Sequence, residues 1–265
     1  MWLVEATNID RTNVDKVMDV LNQKNIPYLP VGVIPFSLEI TGLDSAPLEE
    51  GNVLSYGSTK LTRLIKELGF TPGVFYDPST FNALAWHHAY KSRHNNGFGY
   101  MNDGGKFIQI RYLTGTLTKR RFVRPVMDLK LFPGSVVEEG DTWENFFSRI
   151  FKNDNYDKNI LVSVNQTFDI REEYRFFIVN REVITASKYR AYGELDITPT
   201  IPTWLEKEVR EIARTCWLPN DTCVMDIGLI EDFPEIIEFN VLNSSGLYAA
   251  DVEKLVDALD GLLLH

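Results

Sequence analysis

The stretch CVMDIGLIEDFPEIIEFN, from Cys223 to Asn240, constrains the fold most strongly because it places polar residues inside two apolar strands. Residues of turn composition, EDFP, separate the strands and predict an antiparallel hairpin. Because strand side chains alternate between two faces, Asp226, Glu238 and Asn240 share one face and apolar side chains share the other. Neighbouring carboxylates repel unless a cation lies between them, and oxygen ligands of this kind suit Mg²⁺. The alternative is the solvated face of an ordinary hairpin.

A second hairpin is predicted in EEYRFFIVNREVITASKYR. A two-residue turn at Asn180-Arg181 sets a register in which Glu173, Arg175 and Lys188 lie on one face. A face with cations at one end and apolar residues at the other can hold a polyphosphate and its purine. The alternative is a Glu173–Lys188 salt bridge on a solvated sheet surface, which contributes little to stability.

Two further segments carry candidate residues. RRFVRPVMDLKLFPG contains Arg124 in a strand and Lys130 six residues later, and both are cations that either bind phosphate or belong to an ordinary charged surface. LVSVN, residues 161–165, is a short apolar strand between the two groups of cations.

The order of elements predicts an α/β (α+β) protein. MWLVEA, a helix with Val14 and Val17 at helical spacing, and PYLPVGVI form a βαβ beginning. A later helix is expected to end at Gly69. Caps are expected at Ser79, Thr142 and Thr203 for three further helices. From Lys106 onward, strand patterns dominate.

The loop-rich segment NNGFGYMNDGG, residues 95–105, is the predicted domain boundary. It separates an N-terminal α/β lobe, residues 1–95, from a second domain, residues 96–265. Within the second domain we expect a small lobe at about residues 106–160 and a large lobe at about 161–265.

Charge and composition argue against several classes of protein. The net charge is −10, which opposes nucleic-acid binding because phosphate contacts require an excess of Lys and Arg. The two cysteines are too few for a disulfide scaffold or a four-cysteine zinc site. Neither a signal peptide nor a membrane-spanning segment is expected, so cytoplasmic localisation is the default.

Taken in this order, the parts resemble the ATP-grasp superfamily. FVRPVMDLKLFPG is similar to its first cationic strand, EEYRFFIVNREVITASKYR to its central hairpin, and MDIG with IIEFN to its metal hairpin. More narrowly, the chain resembles the divergent clade named for one arginine and two lysines. That clade includes phage and bacterial proteins and an assembly protein for a translation initiation factor. The resemblance implies an ATP-grasp fold preceded by an N-terminal α/β pre-grasp lobe.

The resemblance also implies roles for individual residues. Arg175 and Lys188 are the expected catalytic cations. Backbone groups of the hinge strand, at Val162 and Val164, would meet adenine. The implied nucleotide-binding side chains are Arg124, Lys130, Glu173, Arg175 and Lys188. The implied Mg²⁺ ligands are Asp226, Glu238 and Asn240.

The implied activity is ATP- and Mg²⁺-dependent ligation of a carboxylate to an amine or thiol through an acyl phosphate. The carboxylate substrate would be a small molecule or a peptide. The alternative is an assembly factor that binds ATP and docks a protein partner without catalysis. A third alternative, modification of nucleic acid, requires a basic channel that an acidic chain does not favour.

Overall fold

A computed structural model describes residues 1–7, 11–34, 37–43, 52–91, 99–127 and 131–263 of the protein. The chain forms two compact units, each assembled from separate segments. Unit 1 contains Met1–Asp77, Glu172–Ile227 and Phe239–His265, and unit 2 contains Pro78–Arg171 and Gly228–Glu238. The predicted domain boundary at residue 95 lies outside the described residues and stays a prediction.

The described residues contain these strands: β1 Trp2–Glu5, β2 Tyr28–Val33, β3 Ile40–Thr41, β4 Val53–Tyr56, β5 Pro72–Gly73, β6 Gly99–Tyr100, β7 Lys106–Gln109, β8 Arg121–Pro125, β9 Ser135–Val137, β10 Leu161–Asn165, β11 Ile170–Val179, β12 Glu182–Ala191, β13 Glu194–Thr198, β14 Cys223–Ile230 and β15 Phe233–Asn240. The α-helices are α1 Arg11–Gln23, α2 Thr59–Leu68, α3 Ala83–Tyr90, α4 Trp143–Phe151, α5 Thr203–Thr215 and α6 Val252–Asp260. No described helix has both the length and the apolar character needed to cross a bilayer. The mixed α/β class is confirmed.

Unit 1 begins with a sheet in which β1 pairs in parallel with both β2 and β4, in the order β3-β2-β1-β4-β5. The predicted βαβ beginning is therefore confirmed. Strand β1 is buried throughout and alternates between two apolar clusters. Trp2 and Val4 pack with helices α1 and α6, whereas Leu3 packs with Leu61 and Ile65 of α2. This alternation follows from the two-residue period of a strand.

Several helix ends agree with the sequence. Gly69 ends α2 in the left-handed conformation, with φ of 75°, which glycine adopts without a Cβ penalty. Thr142 caps α4, because its hydroxyl oxygen accepts a hydrogen bond from the Asn145 amide at 3.2 Å.

Two predicted caps are wrong. Asn82, not Ser79, caps α3, and its Oδ1 accepts a hydrogen bond from the Ala85 amide at 2.9 Å. Helix α5 has Pro202 at the cap position, so Thr203 is its first helical residue and makes no capping bond there. Proline suits this position because its fixed φ is compatible with a helix start and the first amides need no intrahelical acceptor.

The rest of unit 1 is built on β13, β12, β11 and β14, which lie side by side in that order. Helix α5 packs on β12. Arg210 of α5 also donates from Nη1 to the Val183 carbonyl at 2.8 Å. Strand β14 is buried from Cys223 to Leu229, so any polar side chain in it must find a partner.

Unit 2 contains an antiparallel sheet in the order β7-β10-β8-β9. One face packs against α4, where Phe146 and Phe147 meet Val123 and Val162. Elsewhere in unit 2, β15 pairs in parallel with β6, with Glu235 opposite Gly99. The predicted strands at residues 161–165 and around Arg124 are thus confirmed as β10 and β8.

Candidate functional site

The turn between β11 and β12 forms as predicted. Val179 lies opposite Glu182, and both turn residues have positive φ, 48° for Asn180 and 66° for Arg181. This is the conformation of a type I′ turn, whose twist matches that of the flanking strands. Above the turn, however, the pairing shifts twice by one residue.

The shift nearer the turn, between Phe177 and Ile178, separates the two cations that the sequence placed on one face. Arg175 lies opposite Ser187, and Lys188 lies opposite Tyr174. Consecutive strand residues point to opposite faces, so Arg175 and Lys188 lie on different faces of the hairpin. The predicted shared face is wrong because the irregularity at Ile184 adds one residue to β12 that an unbroken two-residue period does not include.

Arg175 instead forms a buried ion pair with Asp226. Its Nε donates to Oδ1 at 2.8 Å and its Nη2 donates to Oδ2 at 2.7 Å. Asn240 donates from Nδ2 to the same Oδ2 at 3.0 Å. The Asp226 side chain is 1% exposed, so this two-point contact places an opposite charge directly on a carboxylate that strand β14 buries.

The other contacts of Arg175 come from the segment after Asn240 and from β12. Its Nη1 donates to the Gly246 carbonyl at 3.2 Å. Its guanidinium carbon lies 5.5 Å from the Tyr189 ring centre and 5.2 Å from that of Tyr248. Burial lowers the pKa of the guanidinium, but the charge of Asp226 and the hydrogen bonds to it outweigh burial and raise the pKa. Arg175 is therefore a permanently charged and closely held group.

Lys188 lies among acidic groups on the other face. Its Nζ is 2.6 Å from Asp196 and 3.7 Å from Glu172, and the contact with Asp196 raises the pKa of Lys188. Glu173 does not pair with Lys188 but accepts a hydrogen bond from the Tyr189 hydroxyl at 2.6 Å. The Glu173–Lys188 salt bridge, the alternative for this hairpin, is therefore also wrong.

Arg124 lies in unit 2 on β8, opposite Ser163. Its Nη2 is 2.6 Å from Glu238 Oε2, and its guanidinium carbon lies 5.2 Å from the Trp86 ring centre. Both charged side chains are largely buried, at 13% and 25% exposure. A predicted phosphate-binding cation and a predicted metal ligand are thus in direct contact.

Val162 and Val164 lie in the centre of the unit 2 sheet. Both pair with β7 on one side and with β8 on the other. A central strand uses its backbone amide and carbonyl groups for its two neighbours. Val162 and Val164 therefore take part in strand pairing on both sides, and the expectation that their backbone groups meet adenine stays a prediction. The pairing of β10 with β7 ends at Val164, which lies opposite Lys106.

A cavity of about 540 Å³ lies in unit 2 where β10 ends. Asn165 contributes to its wall, donates from Nδ2 to Ser163 Oγ at 2.9 Å, and has a buried Oδ1 with no hydrogen-bond partner. Gly105 lies so close to this amide that a Cβ there would come within 1.8 Å of Oδ1. Further lining residues are Tyr100, Lys106, Gln166, Phe168 and Glu235.

The predicted metal ligands fit Mg²⁺ by chemical type. Asp226 and Asn240, both in unit 1, are in contact, and Glu238 precedes Asn240 by two residues on β15. Carboxylate and amide oxygens are ligands that Mg²⁺ accepts. Throughout the described part of the chain, no group of three or more His, Cys, Asp or Glu side chains is arranged to hold a metal ion. The fit therefore depends on the Asn240 carbonyl oxygen as a ligand. Lys130 lies outside the described residues.

Three aromatic residues of this region were not identified from the sequence. Tyr189 and Tyr248 stack with ring centres 5.0 Å apart beside Arg175, and Trp86 lies beside Arg124. Tyr189 directly follows Lys188, and it is one of the residues at which the β12 pairing shifts. A search for aromatic residues next to the candidate cations would have found Tyr189 but neither of the others.

Comparisons with known proteins agree with this architecture. Residues 107–258 match an ATP-grasp domain model, that of family 2 in the clade named for one arginine and two lysines. Among curated protein sequences, none matches the chain significantly.

Several solved structures share the fold. D-alanine–D-alanine ligase from Bacillus anthracis superposes with a TM-score of 0.60 and 11% identity, over 99% of this chain and 95% of that chain. A RimK domain ATP-grasp protein from Sphaerobacter thermophilus DSM 20745 has a TM-score of 0.54 and 14% identity, over 100% and 99% of the chains. The ATP-grasp ligase PsnB, complexed with a minimal precursor, has a TM-score of 0.52 and 13% identity, over 98% of each chain.

At these identities the solved structures establish the fold alone. The family match is more specific and covers more than half of the 265 residues. The protein therefore belongs to the ATP-grasp superfamily, in family 2 of the arginine-and-two-lysine clade.

Proposed function

We propose that the protein is an ATP- and Mg²⁺-dependent ligase that joins a carboxylate to an amine or thiol. The observation that carries the proposal is the contact of Asp226 with Asn240 in a chain of the ATP-grasp family. A carboxylate and an amide on neighbouring strands, with Glu238 two residues before the amide, form an all-oxygen donor set. When bound to these three residues, Mg²⁺ would act as a Lewis acid toward phosphate oxygens.

In the proposed reaction, a carboxylate oxygen attacks the γ-phosphorus of ATP and the bond to ADP breaks. An amine or thiol then attacks the acyl carbon, phosphate leaves with the electrons of the carbon–oxygen bond, and the nucleophile loses its proton. No covalent intermediate with the protein is needed. The protein supplies charge and position, which is the main source of catalysis in transfers of this kind.

The chain's residues take distinct roles in this proposal. Arg124, Lys188 and Lys130 are cations for the phosphates. Arg175 is a positioning residue, because its two-point contact orients the Asp226 carboxylate. For adenine we propose the end of β10, from Asn165 onward, where the chain leaves the sheet and borders the cavity. Glu173 acts indirectly in this proposal, because it accepts a hydrogen bond from Tyr189, whose ring lies beside Arg175.

The substrate class is a small-molecule or peptide carboxylate. A peptide is included because PsnB, whose fold is similar, was solved with a minimal precursor. The competing function is that of an ATP-binding assembly factor for a protein partner, without turnover.

The test measures ADP release from MgATP in the presence of pooled carboxylates and amines. Hydroxylamine is added to trap any acyl phosphate as a hydroxamate. We expect release that depends on the carboxylate. Lys188→Met should lower ADP release about tenfold or more, because a charge-assisted hydrogen bond to phosphate contributes roughly 1.5–3 kcal/mol.

Arg190→Met is the matched control, since Arg190 lies on the same strand and is 44% exposed. Its ADP release should equal that of the unmodified protein. If the protein binds ATP but releases no ADP with any of the carboxylates and amines, the result would instead support the assembly-factor function.

A further inference from the structure

Two further cations, Lys106 of β7 and Arg121 of β8, line the unit 2 cavity at the end of β10. Within the part of the chain that the structure describes, neither side chain forms an ion pair. Arg124, Arg175 and Lys188, by contrast, each have a carboxylate partner. In a chain with a net charge of −10, two cations without a carboxylate partner at one cavity are positive charges that an anionic ligand can use.

The strand register brings these two cations to one face of the unit 2 sheet. Lys106 and Val123 both lie opposite Val164, on the two sides of β10. Residues directly opposite each other share a face, and Arg121 shares it too because it precedes Val123 by two residues. Strands β7 and β8 are two strand spacings apart, or about 10 Å, a distance that two long side chains can span toward one anionic group between them.

The cavity wall on the other face of β10 has hydrogen-bonding groups instead. Asn165 follows Val164 and therefore points to the opposite face, and its buried Oδ1 has no hydrogen-bond partner. An acceptor of this kind is rare in folded proteins and indicates a place where a ligand or a water molecule supplies the missing donor. Asp103 and Glu235 also line the cavity, and each has polar interactions of its own. The cavity thus offers a cationic side and a hydrogen-bonding side.

We propose that this cavity binds the nucleoside monophosphate part of ATP, with Lys106 and Arg121 on its phosphate, and that it binds AMP without Mg²⁺. The inference rests on the proposed function, which assigns adenine to the end of β10. The cavity volume of about 540 Å³ lies within the range of about 300–1,000 Å³ for small-molecule sites. A phosphate monoester carries roughly 1.5–2 negative charges at pH 7, which two cations balance without a metal ion. All of these residues belong to unit 2.

Isothermal titration with AMP and with adenosine tests the proposal. AMP should bind equally well in Mg²⁺ and in chelator, and more tightly than adenosine, which lacks the phosphate. Arg121→Met should weaken AMP binding about tenfold, because the half-buried guanidinium would lose a charge-assisted hydrogen bond. Lys106→Met should weaken it less, by about threefold, since this side chain is exposed and solvent screens its charge. Neither variant should change the affinity for adenosine.

Arg120→Met is the matched control variant. Arg120 directly precedes Arg121 in the chain, but it does not line the cavity, is 53% exposed and pairs with Glu138 at 2.9 Å. Its loss should leave the affinity for AMP unchanged. A titration with inorganic phosphate distinguishes a nucleotide site from a site for any small anion, and phosphate should bind more weakly than AMP.

Any of four results would overturn the inference: no AMP binding, AMP binding that requires Mg²⁺, an affinity for AMP no higher than for adenosine or phosphate, or a loss in Arg121→Met no larger than in Arg120→Met. If the unmodified protein binds MgATP and one of these occurs, only the monophosphate site fails. If it binds neither AMP nor MgATP, the proposed function fails as well. Circular dichroism verifies the folding of each variant, and Arg121→Gln replaces the methionine variant if that one does not fold.

Discussion

Arg175 has the most closely enclosed charge among the candidate cations that the structure describes. Its guanidinium meets the Asp226 carboxylate at two points, a backbone carbonyl at a third, and two aromatic rings. An exposed ion pair stabilises a protein little, but removing one partner of a buried pair leaves an uncompensated charge. Loss of the Arg175 side chain is therefore expected to lower the stability of the fold, apart from any effect on ligand binding.

We expect Arg175→Met to lower the free energy of unfolding by about 3–5 kcal/mol, because Asp226 would remain buried without its cation. Urea unfolding followed by circular dichroism measures this loss. Arg190→Met, on the same hairpin and near Glu173 at 3.9 Å, should change the free energy of unfolding by less than about 1 kcal/mol. Equal losses in the two variants would contradict the structural role of Arg175.

At the scale of elements, the sequence predicts structure well wherever one physical signal acts alone. The end of α2 follows from helical spacing and a glycine at Gly69. The cap of α3 does not, because Ser79 and Asn82 are both good capping residues and their order in sequence cannot decide between them. The prediction of which β12 side chains share a face was wrong for another reason. Ile184 and Tyr189 are residue types common in strands, and nothing in the sequence around them indicates a shift in pairing.

Within the candidate site, too, some features could be predicted from the sequence and others could not. Asp226 and Asn240 could be found because polar residues in an apolar strand stand out, and the structure places them in contact. The partner of each cation could not be found, because it depends on tertiary packing rather than on local pattern. Arg175 and Lys188 have different acidic partners on different faces, and Arg124 meets Glu238 across a long sequence separation.

The cap assignments of α4 and α5 can be tested with Thr142 and Thr203, which lie at the starts of these two helices. Thr142→Ala should lower the free energy of unfolding by about 0.5–2 kcal/mol, because the α4 cap bond to the Asn145 amide is lost. Thr203→Ala should change it by no more than about 0.5 kcal/mol, since Thr203 follows the cap of α5. Thermal or urea unfolding of both variants compares them directly. A larger loss for Thr203→Ala would contradict the cap assignment.

At the scale of the whole molecule, an acidic chain is proposed to bind a polyanion. The net charge of −10 gives no general attraction for ATP. Binding must therefore come from local cations. The three candidate cations that the structure describes already have carboxylate partners, in the pairs Arg124–Glu238, Arg175–Asp226 and Lys188–Asp196. An added divalent cation offsets the negative charge of both the protein and the nucleotide.

This charge balance predicts that MgATP raises the melting temperature more than ATP with chelator does. A ligand that binds only the folded state at a hundredfold excess over its Kd stabilises it by about 2.7 kcal/mol. Differential scanning fluorimetry with ATP in Mg²⁺ and in chelator measures the difference, with Mg²⁺ alone as the control. Equal shifts under the two nucleotide conditions would argue against a metal-dependent site.

Unit 1 is built from three separate chain segments, and this has a consequence for biosynthesis. Trp2 donates from Nε1 to Asp260 at 3.0 Å, and α6 packs in the same apolar cluster as β1 and α1. A ribosome adds about 5–20 residues per second, so β1 waits for this packing partner while all of the chain between β1 and α6 is made. The apolar face that β1 and α1 present must remain uncovered, or be covered by something else, until α6 has emerged. Completion of this core therefore comes only after every segment between β1 and α6 has been synthesised.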